Sequence, residues 1–455
     1  MSTAAVLRLR AQATGRRLLI SALALALLMT VTPGCGDDSS SPPRKPVLAL
    51  VGGTVHSSPG AAPIEDGVVL VEEEHITTVG SRASVPLPEG AIVLDTTGQT
   101  MMAGFWNSHV HFFGPPWDEA PTMSANELEQ RVENMLTRHG FVHVFDTGSF
   151  SEITMGIRQR IHSGEVKGPD ILTTGLPLVP IDGTPVYVGP IELPEPRTPD
   201  EARELVRQTL AQGADGIKLF TVSNSAEEPY PVMAQEIASA AVEEAHAQGK
   251  PVLAHPTALQ GVTIAATAGV DILVHTAPEA GPLPDSLHLQ MSEDMALIPT
   301  LFLWELELRR QGVTDEDVIR AFVGEAVGQL ARHAELGGRV LFGTDVGYTS
   351  DDDPHREYAL MSEAGLSFSQ ILASLTSEPA AEFGRGERTG RLETGFDADM
   401  VVVDGDPTAN IEALADVRLV LKRGQLIYEA RQSNSRQSST GSAHRLRPTL
   451  DSLTQ

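Results

Sequence analysis

The chain has 455 residues, 41% hydrophobic and 20% charged. That composition excludes the fibrous and wholly disordered classes and suits one large domain plus a small one. A formal charge of -27 repels phosphate backbones and excludes nucleic acid as a partner.

The first 34 residues hold four Arg (Arg8, Arg10, Arg16 and Arg17) and no Asp or Glu, so the acidity belongs to the rest of the chain. An apolar stretch from Leu18 to Val31 follows the arginines, the charge-then-core layout of a secretory signal, and it is short for a bilayer span. Next comes Thr32-Pro33-Gly34-Cys35, and Cys35 is the single cysteine of the chain. The arrangement resembles a bacterial lipoprotein signal over residues 1–35, which implies export to the cell envelope and a membrane anchor through lipid on Cys35. A lone exported cysteine has no disulfide partner, which supports that role. Residues 36–46, rich in Asp, Ser and Pro, read as a flexible tether.

Residues 47–103 and 386–429 carry short β-rich runs separated by turn residues, among them LALVGGTV, GVVLVEEEHITTVG and ADMVVVDGDP. Neither piece is large enough for a core alone, so both ends of the chain are expected to form one small sandwich-like β domain. Between them, over 104–385, helix-like segments ending in Gly precede short apolar strands: RHG then FVHVFD, AQGAD then GIKLF, AQGK then PVLAH, TAGVD then ILVH, ELGG then RVLFGTD. Helix, glycine cap and strand in that order predict an α/β fold with a parallel sheet, and the length suits eight units of a (β/α)8 TIM barrel. Helix starts are signalled at Ser124 to Glu127, at Thr198-Pro199-Asp200-Glu201 and at Thr314 to Asp317. Residues 430–455 are polar and read as a disordered tail.

Six residues stand at the ends of apolar runs. His109 and His111 lie two apart on a predicted strand, so their imidazoles leave one face and can reach one metal. Lys218 sits among Ile217, Leu219 and Phe220. Its stem could simply pack while the ammonium finds a carboxylate, or burial could depress its pKa and leave an amine able to form a carbamate with carbon dioxide. His255 ends VLAH, His275 ends ILVH and Asp345 ends VLFGTD. Parallel strands would present all six at one mouth. His139, His246 and His333 fall on helix-like stretches and are expected to be solvated.

The order His-x-His, Lys, His, His, Asp resembles the amidohydrolase superfamily, in its imidazolonepropionase and prolidase-like branch. AGFWNSHVHF (103–112), AGVDILVHTAP (268–278) and TGRLETGFDADMVVVDGDP (389–407) resemble that family's phrases. The resemblance implies two divalent metal ions, most simply zinc. His109, His111 and Asp345 would hold one, His255 and His275 the other, with a carbamate on Lys218 between them. It also implies metal-activated water as nucleophile and Asp345 as the group that moves its proton. Asn107 stands where the family usually has Asp. Tyr230 is a candidate oxyanion donor, and substrate contacts are expected from 113–117, 177–189, Trp304 and Tyr348.

The implied reaction is hydrolysis of a C–N bond in a small amide, cyclic amide or dipeptide-like substrate by a chain that could self-associate. Lactone or phosphoester hydrolysis at the same site, and a lipid-anchored binding protein without turnover, stay open. Deamination fits less well, because His255 is followed by Pro256, Thr257 and Ala258 rather than by a nearby Glu.

Overall fold

The computed structural model describes residues 46–189, 191–225, 229–349 and 352–431. The signal-like stretch, Cys35, the tether up to residue 45 and the tail beyond 431 lie outside the described residues.

Six strands come first: β1 (Leu48–Val51), β2 (Thr54–Val55), β3 (Gly67–Glu72), β4 (His75–Ser81), β5 (Ile92–Asp95) and β6 (Gln99–Ala103). The apolar run of β1 is buried along its whole length, as a strand covered on both faces must be. It pairs antiparallel with β3 and parallel with β5, giving the order β4-β3-β1-β5. Glu73, with a φ of 55°, supplies the left-handed turn between β3 and β4.

Eight further strands all pair in parallel: β7 (Phe105–Val110), β8 (Phe141–Asp146), β9 (Asp170–Thr173), β10 (Ile217–Phe220), β11 (Val252–His255), β12 (Ile272–Val274), β13 (Ala296–Ile298) and β14 (Arg339–Val340). They form one sheet β7-β8-β9 and another β10-β11-β12-β13-β14. Hydrogen bonds join these sheets at both edges. On one side Leu178 pairs with β10, its N–H donating to the Lys218 carbonyl and its carbonyl accepting from Phe220, each at 2.9 Å. On the other, the segment after β14 meets β7: Ser108 donates to the Phe342 carbonyl at 2.7 Å and His111 to that of Val346 at 2.9 Å.

Side chains alternate along these strands. Ile217, Leu219, Val252 and Ala254 pack into the large core that includes the helices, whereas Leu253, Phe145, Leu172 and Ile298 form a separate inner cluster. Lys218 is in register with Leu253 and opposite in parity to Ile217 and Leu219, so it projects to the inner face.

The helices between strands start where capping chemistry dictates. Ser124 accepts from the N–H of Glu127, and Thr198 accepts from Glu201 with Pro199 in the first turn. The third start differs by one residue: Asp315 rather than Thr314 caps the helix Glu316–Glu335, because its carboxylate reaches the amides of both Asp317 and Val318. Two of the three histidines expected in solvent are instead buried. His139 closes a 3-10 turn, and His333 lies on the inner side of its helix with Nε2 against the Arg339 carbonyl at 2.9 Å. The space for His333 exists because residue 338 is Gly, where a Cβ would lie 2.4 Å from the ring. His246 is exposed as expected and pairs with Asp271 at 2.8 Å.

Three last strands, β15 (Met400–Asp404), β16 (Val417–Lys422) and β17 (Gln425–Glu429), return to the start of the chain. β15 pairs antiparallel with β6, from Met400 opposite Ala103 to Asp404 opposite Gln99, in the order β17-β16-β15-β6-β2. The two β-rich ends of the sequence therefore share a sheet. A buried hydrogen bond ties that return to the parallel strands. Asp399, just before β15, binds His143 Nε2 of β8 at 2.9 Å and accepts the backbone N–H of Arg423 at 2.7 Å. Asp399→Ala leaves the buried His143 Nε2 and the Arg423 N–H without this acceptor, so it should lower stability by about 2 kcal/mol. Chemical denaturation checks this, and the metal content of the folded fraction should not change.

Candidate metal centre

His109 lies in β7 and His111 one residue past its end. Lys218 is the second residue of β10, His255 the last of β11, and His275 follows the last residue of β12. Asp345 follows β14 on the segment that hydrogen-bonds to β7, its own N–H donating to the His109 carbonyl at 2.9 Å. All six line one cavity of about 130 Å³.

The tightest group is His109, His111 and Asp345, whose ligand atoms lie within 4.8 Å of one another. Asp345 Oδ1 is 3.2 Å from His109 Nε2 and 2.9 Å from His111 Nε2, and the two Nε2 atoms are 3.1 Å apart. His275 adjoins this group, with Nε2 3.9 Å from Asp345 Oδ2 and its ring 4.7 Å from those of both His109 and His255. His255 in turn stacks on Phe220, with centroids 4.5 Å apart.

Tautomers follow from the outer contacts. Gly148 presents a carbonyl to His111 Nδ1 at 3.0 Å, so that nitrogen carries the proton and Nε2 turns a lone pair inward. Thr300 donates its hydroxyl to the Pro299 carbonyl and therefore accepts from His275 Nδ1, with the same result for His275. Lone pairs and carboxylate oxygens thus face one another, and buried Asp345 Oδ1 has no hydrogen-bond donor. Acceptors crowded in this way fit a cation among them, and imidazole with carboxylate suits a divalent one.

Burial sets the protonation states. Desolvation, reinforced by neighbouring cationic groups, holds His109, His255 and His275 well below the ordinary imidazole value of 6.5. Desolvation also pushes the Lys218 amine down to about 7, with Asp345 opposing it. Metal binding needs neutral imidazoles, and these are kept neutral.

Backbone strain accompanies the ligands. His275 (φ 74°), Thr300 (φ 43°) and Asp345 (φ 61°) occupy the left-handed region, at a cost of about 1–3 kcal/mol each. Asn107 spans β7 and the Asp345 segment: its Oδ1 accepts from the N–H groups of His109 and Thr344, and its amide donates to the Thr344 hydroxyl at 2.8 Å. Asn supplies both donor and acceptor here, which a carboxylate could not.

Comparison with known proteins identifies the family. The family model described as "Amidohydrolase family" matches residues 100–427. The chain belongs to the amidohydrolase family. Among curated proteins, ochratoxinase of Aspergillus niger is 21% identical over 401 residues, covering 79% of this chain and 81% of its own. Among solved structures, an Xaa-Pro dipeptidase with bound methionine superposes with a TM-score of 0.72 at 21% identity, covering 84% of this chain and 100% of its own. A prolidase complexed with N-methylphosphonate-L-proline gives 0.70 at 24% identity, with 84% and 100% covered. These likenesses support the α/β architecture.

In this amidohydrolase the expected contact residues divide. Phe113, Pro177, Tyr187, Trp304 and Tyr348 line the cavity. Trp117 does not, because it is buried edge-on against Phe112. Tyr230 is half-buried on the segment after β10 and is not among the described lining residues, where the tyrosines are Tyr187 and Tyr348. The sequence reading missed Asp146. This fully buried carboxylate at the end of β8 accepts from the hydroxyls of Ser149 (2.6 Å), Thr154 (2.6 Å) and Thr173 (2.9 Å) and from the N–H of Gly148 (3.2 Å). It shapes the loop whose Gly148 carbonyl orients His111. Its position after the apolar run FVHVF was the available signal, the same one that marked Asp345.

Two outcomes are expected. Asp146→Ala should weaken divalent-metal affinity about 10–100-fold, read by competition with a chelating dye, since it frees the orienting loop. In metal-free protein, the unfolded chain takes up protons near pH 6.5 that the folded imidazoles refuse, so stability should fall as the pH drops below that value. Denaturation midpoints from about pH 7.5 to 5 check it.

Proposed function

We propose that this chain is a metal-dependent hydrolase that cleaves a C–N bond in a small amide, cyclic amide or dipeptide-like substrate. The observation that carries the reading is the convergence of His109, His111, Lys218, His255, His275 and Asp345 on one cavity. The scaffold we infer is a closed (β/α)8 barrel flanked by a small β domain from both chain ends; the bridges at Leu178 and Val110 support closure, and the β6–β15 pairing supports the composite domain.

His109, His111 and Asp345 would hold one divalent ion and His255 with His275 a second, zinc being the simplest fit to so many imidazoles. Bound there, such ions polarise a substrate carbonyl and acidify water. Lys218 has the chemistry to bridge them: a pKa near 7 leaves much of it as free amine at neutral pH, ready to add carbon dioxide and release a proton, giving an anionic oxygen donor. Asp345 would receive the proton of the attacking water on a carboxylate oxygen and return it to the leaving nitrogen. Apolar walls, with Trp304 6.1 Å from His275 ring to ring, keep bulk water from that transfer. The secretory layout and Cys35 complete the proposal with export and a lipid anchor at the membrane.

Metal analysis of the purified protein should give about two equivalents per chain. Chelation should abolish hydrolysis of a dipeptide and N-acyl amide panel, and added zinc should restore it. Asp345→Asn should lower kcat/KM by about 10²–10⁴-fold. Lys218→Ala should lose the second metal equivalent, and reconstitution of the native protein should slow below about pH 7, where the amine is protonated. Full turnover by metal-free protein would overturn the reading.

A further inference from the structure

Resting on the hydrolytic reading above, we propose that the substrate is not an anion: an amide bearing an apolar or aromatic group, with no free carboxylate on either side of the scissile bond.

The cavity lining is of two unlike kinds. One is the imidazoles, Lys218 and Asp345; the other is apolar wall built by side chains such as Phe113, Phe150, Leu193, Phe220, Leu303 and Trp304. Trp304 spends its single N–H on Thr276 Oγ1 at 2.9 Å, so what it shows the cavity is ring surface. Among the described residues lining the cavity there is no arginine, and the one lysine is Lys218, a candidate ligand.

The other charged groups of the lining have the wrong sign for an anion. Glu279 and Glu307 are both part of the lining. Glu307 accepts from the Tyr348 hydroxyl at 3.1 Å and from the Gln311 amide at 2.9 Å. The nearest cation, Arg310, lies outside the lining. It is committed to Glu307 at 2.8 Å and lies over the Tyr348 ring at 4.8 Å.

A substrate carboxylate would therefore leave water for a largely apolar lining in which Arg310 is already paired with Glu307, a costly desolvation with little compensation. The amides of Asn224 and Gln311 offer partners to a neutral polar group instead. The overall charge of -27 opposes anions before they arrive. Hydrolysis itself balances with this arrangement. Water adds to the carbonyl, the C–N bond breaks, one water proton goes to the leaving nitrogen, and the other passes from the new carboxylic acid to the freed amine, giving a carboxylate and an ammonium.

The test uses the metal-loaded full chain and matched pairs differing at one group: N-acetyl-phenylalanyl-proline against its C-terminal amide, and N-acetyl-phenylalanyl-leucine against its C-terminal amide. We expect kcat/KM for each capped amide to exceed that of its free acid by at least about tenfold. Glu307→Gln and Gln311→Lys, the latter at an exposed position, should each narrow the ratio by favouring the acid. Equal or better cleavage of the free acids overturns the proposal, as does a ratio unmoved by both variants. Cleavage of no member with metal bound overturns the hydrolytic reading and this one with it, an outcome distinct from preference for the acids.

Discussion

The rest of the site depends on crowding imidazole nitrogens and a carboxylate against one another in a mostly buried cavity. Asp345 Oδ1 and the Nε2 atoms of His109 and His111 meet at 2.9 to 3.2 Å in a buried site. Left without a cation, the inward lone pairs of His111 and His275 and the Asp345 carboxylate crowd one another, and desolvation opposes relief by protonating His275. The site is consequently a source of instability that other parts of the fold must offset, and they do so with backbone. Strand hydrogen bonds fix His109 and Lys218, which no rotamer change can release.

The ligands beyond the regular strands need other means. His275 and Asp345 leave the strand path through left-handed backbone, which turns their side chains inward. That conformation persists because neighbours over-determine it: His275 N donates to the Ile298 carbonyl at 2.8 Å, and Asp345 N is fixed by β7. Asp146 does comparable work from beneath, gathering three hydroxyls and one amide so that Gly148 can face His111. The hydroxyl-rich surroundings of that carboxylate satisfy it fully, which is why it can lie buried without a formal cation.

What the sequence made legible was whatever period and position express. His109 and His111 showed a shared face through their spacing of two, and Lys218 stood out as a charge between apolar neighbours that strand alternation turns inward. His255, His275 and Asp345 were readable as strand ends. Contacts that arise between segments distant in sequence were not readable. Nothing local distinguishes buried His333 from exposed His246, since both lie on amphipathic helices and only the packing of Gly338 decides. Tyr230 and Tyr348 are equally plausible loop tyrosines, and the return of the chain along β7 sends Tyr348 to the cavity. Thr314 and Asp315 are both good caps; the reach of a carboxylate to two amides chose between them.

The long-range field and the local site act together. A chain of charge -27 attracts divalent cations and raises their concentration near its surface, which suits a centre that must capture them. The same field disfavours anions, while the cavity walls give an incoming molecule apolar contact and few compensating charges. Acidity outside and neutral imidazoles within are thus complementary, because the cation that relieves the crowded acceptors is also the species the field delivers. A basic variant of the same fold would hold an identical ligand set yet meet its metal less often. On the metal-dependent reading we propose, surface charge would enter the function through occupancy of the site even where it touches none of the candidate ligands.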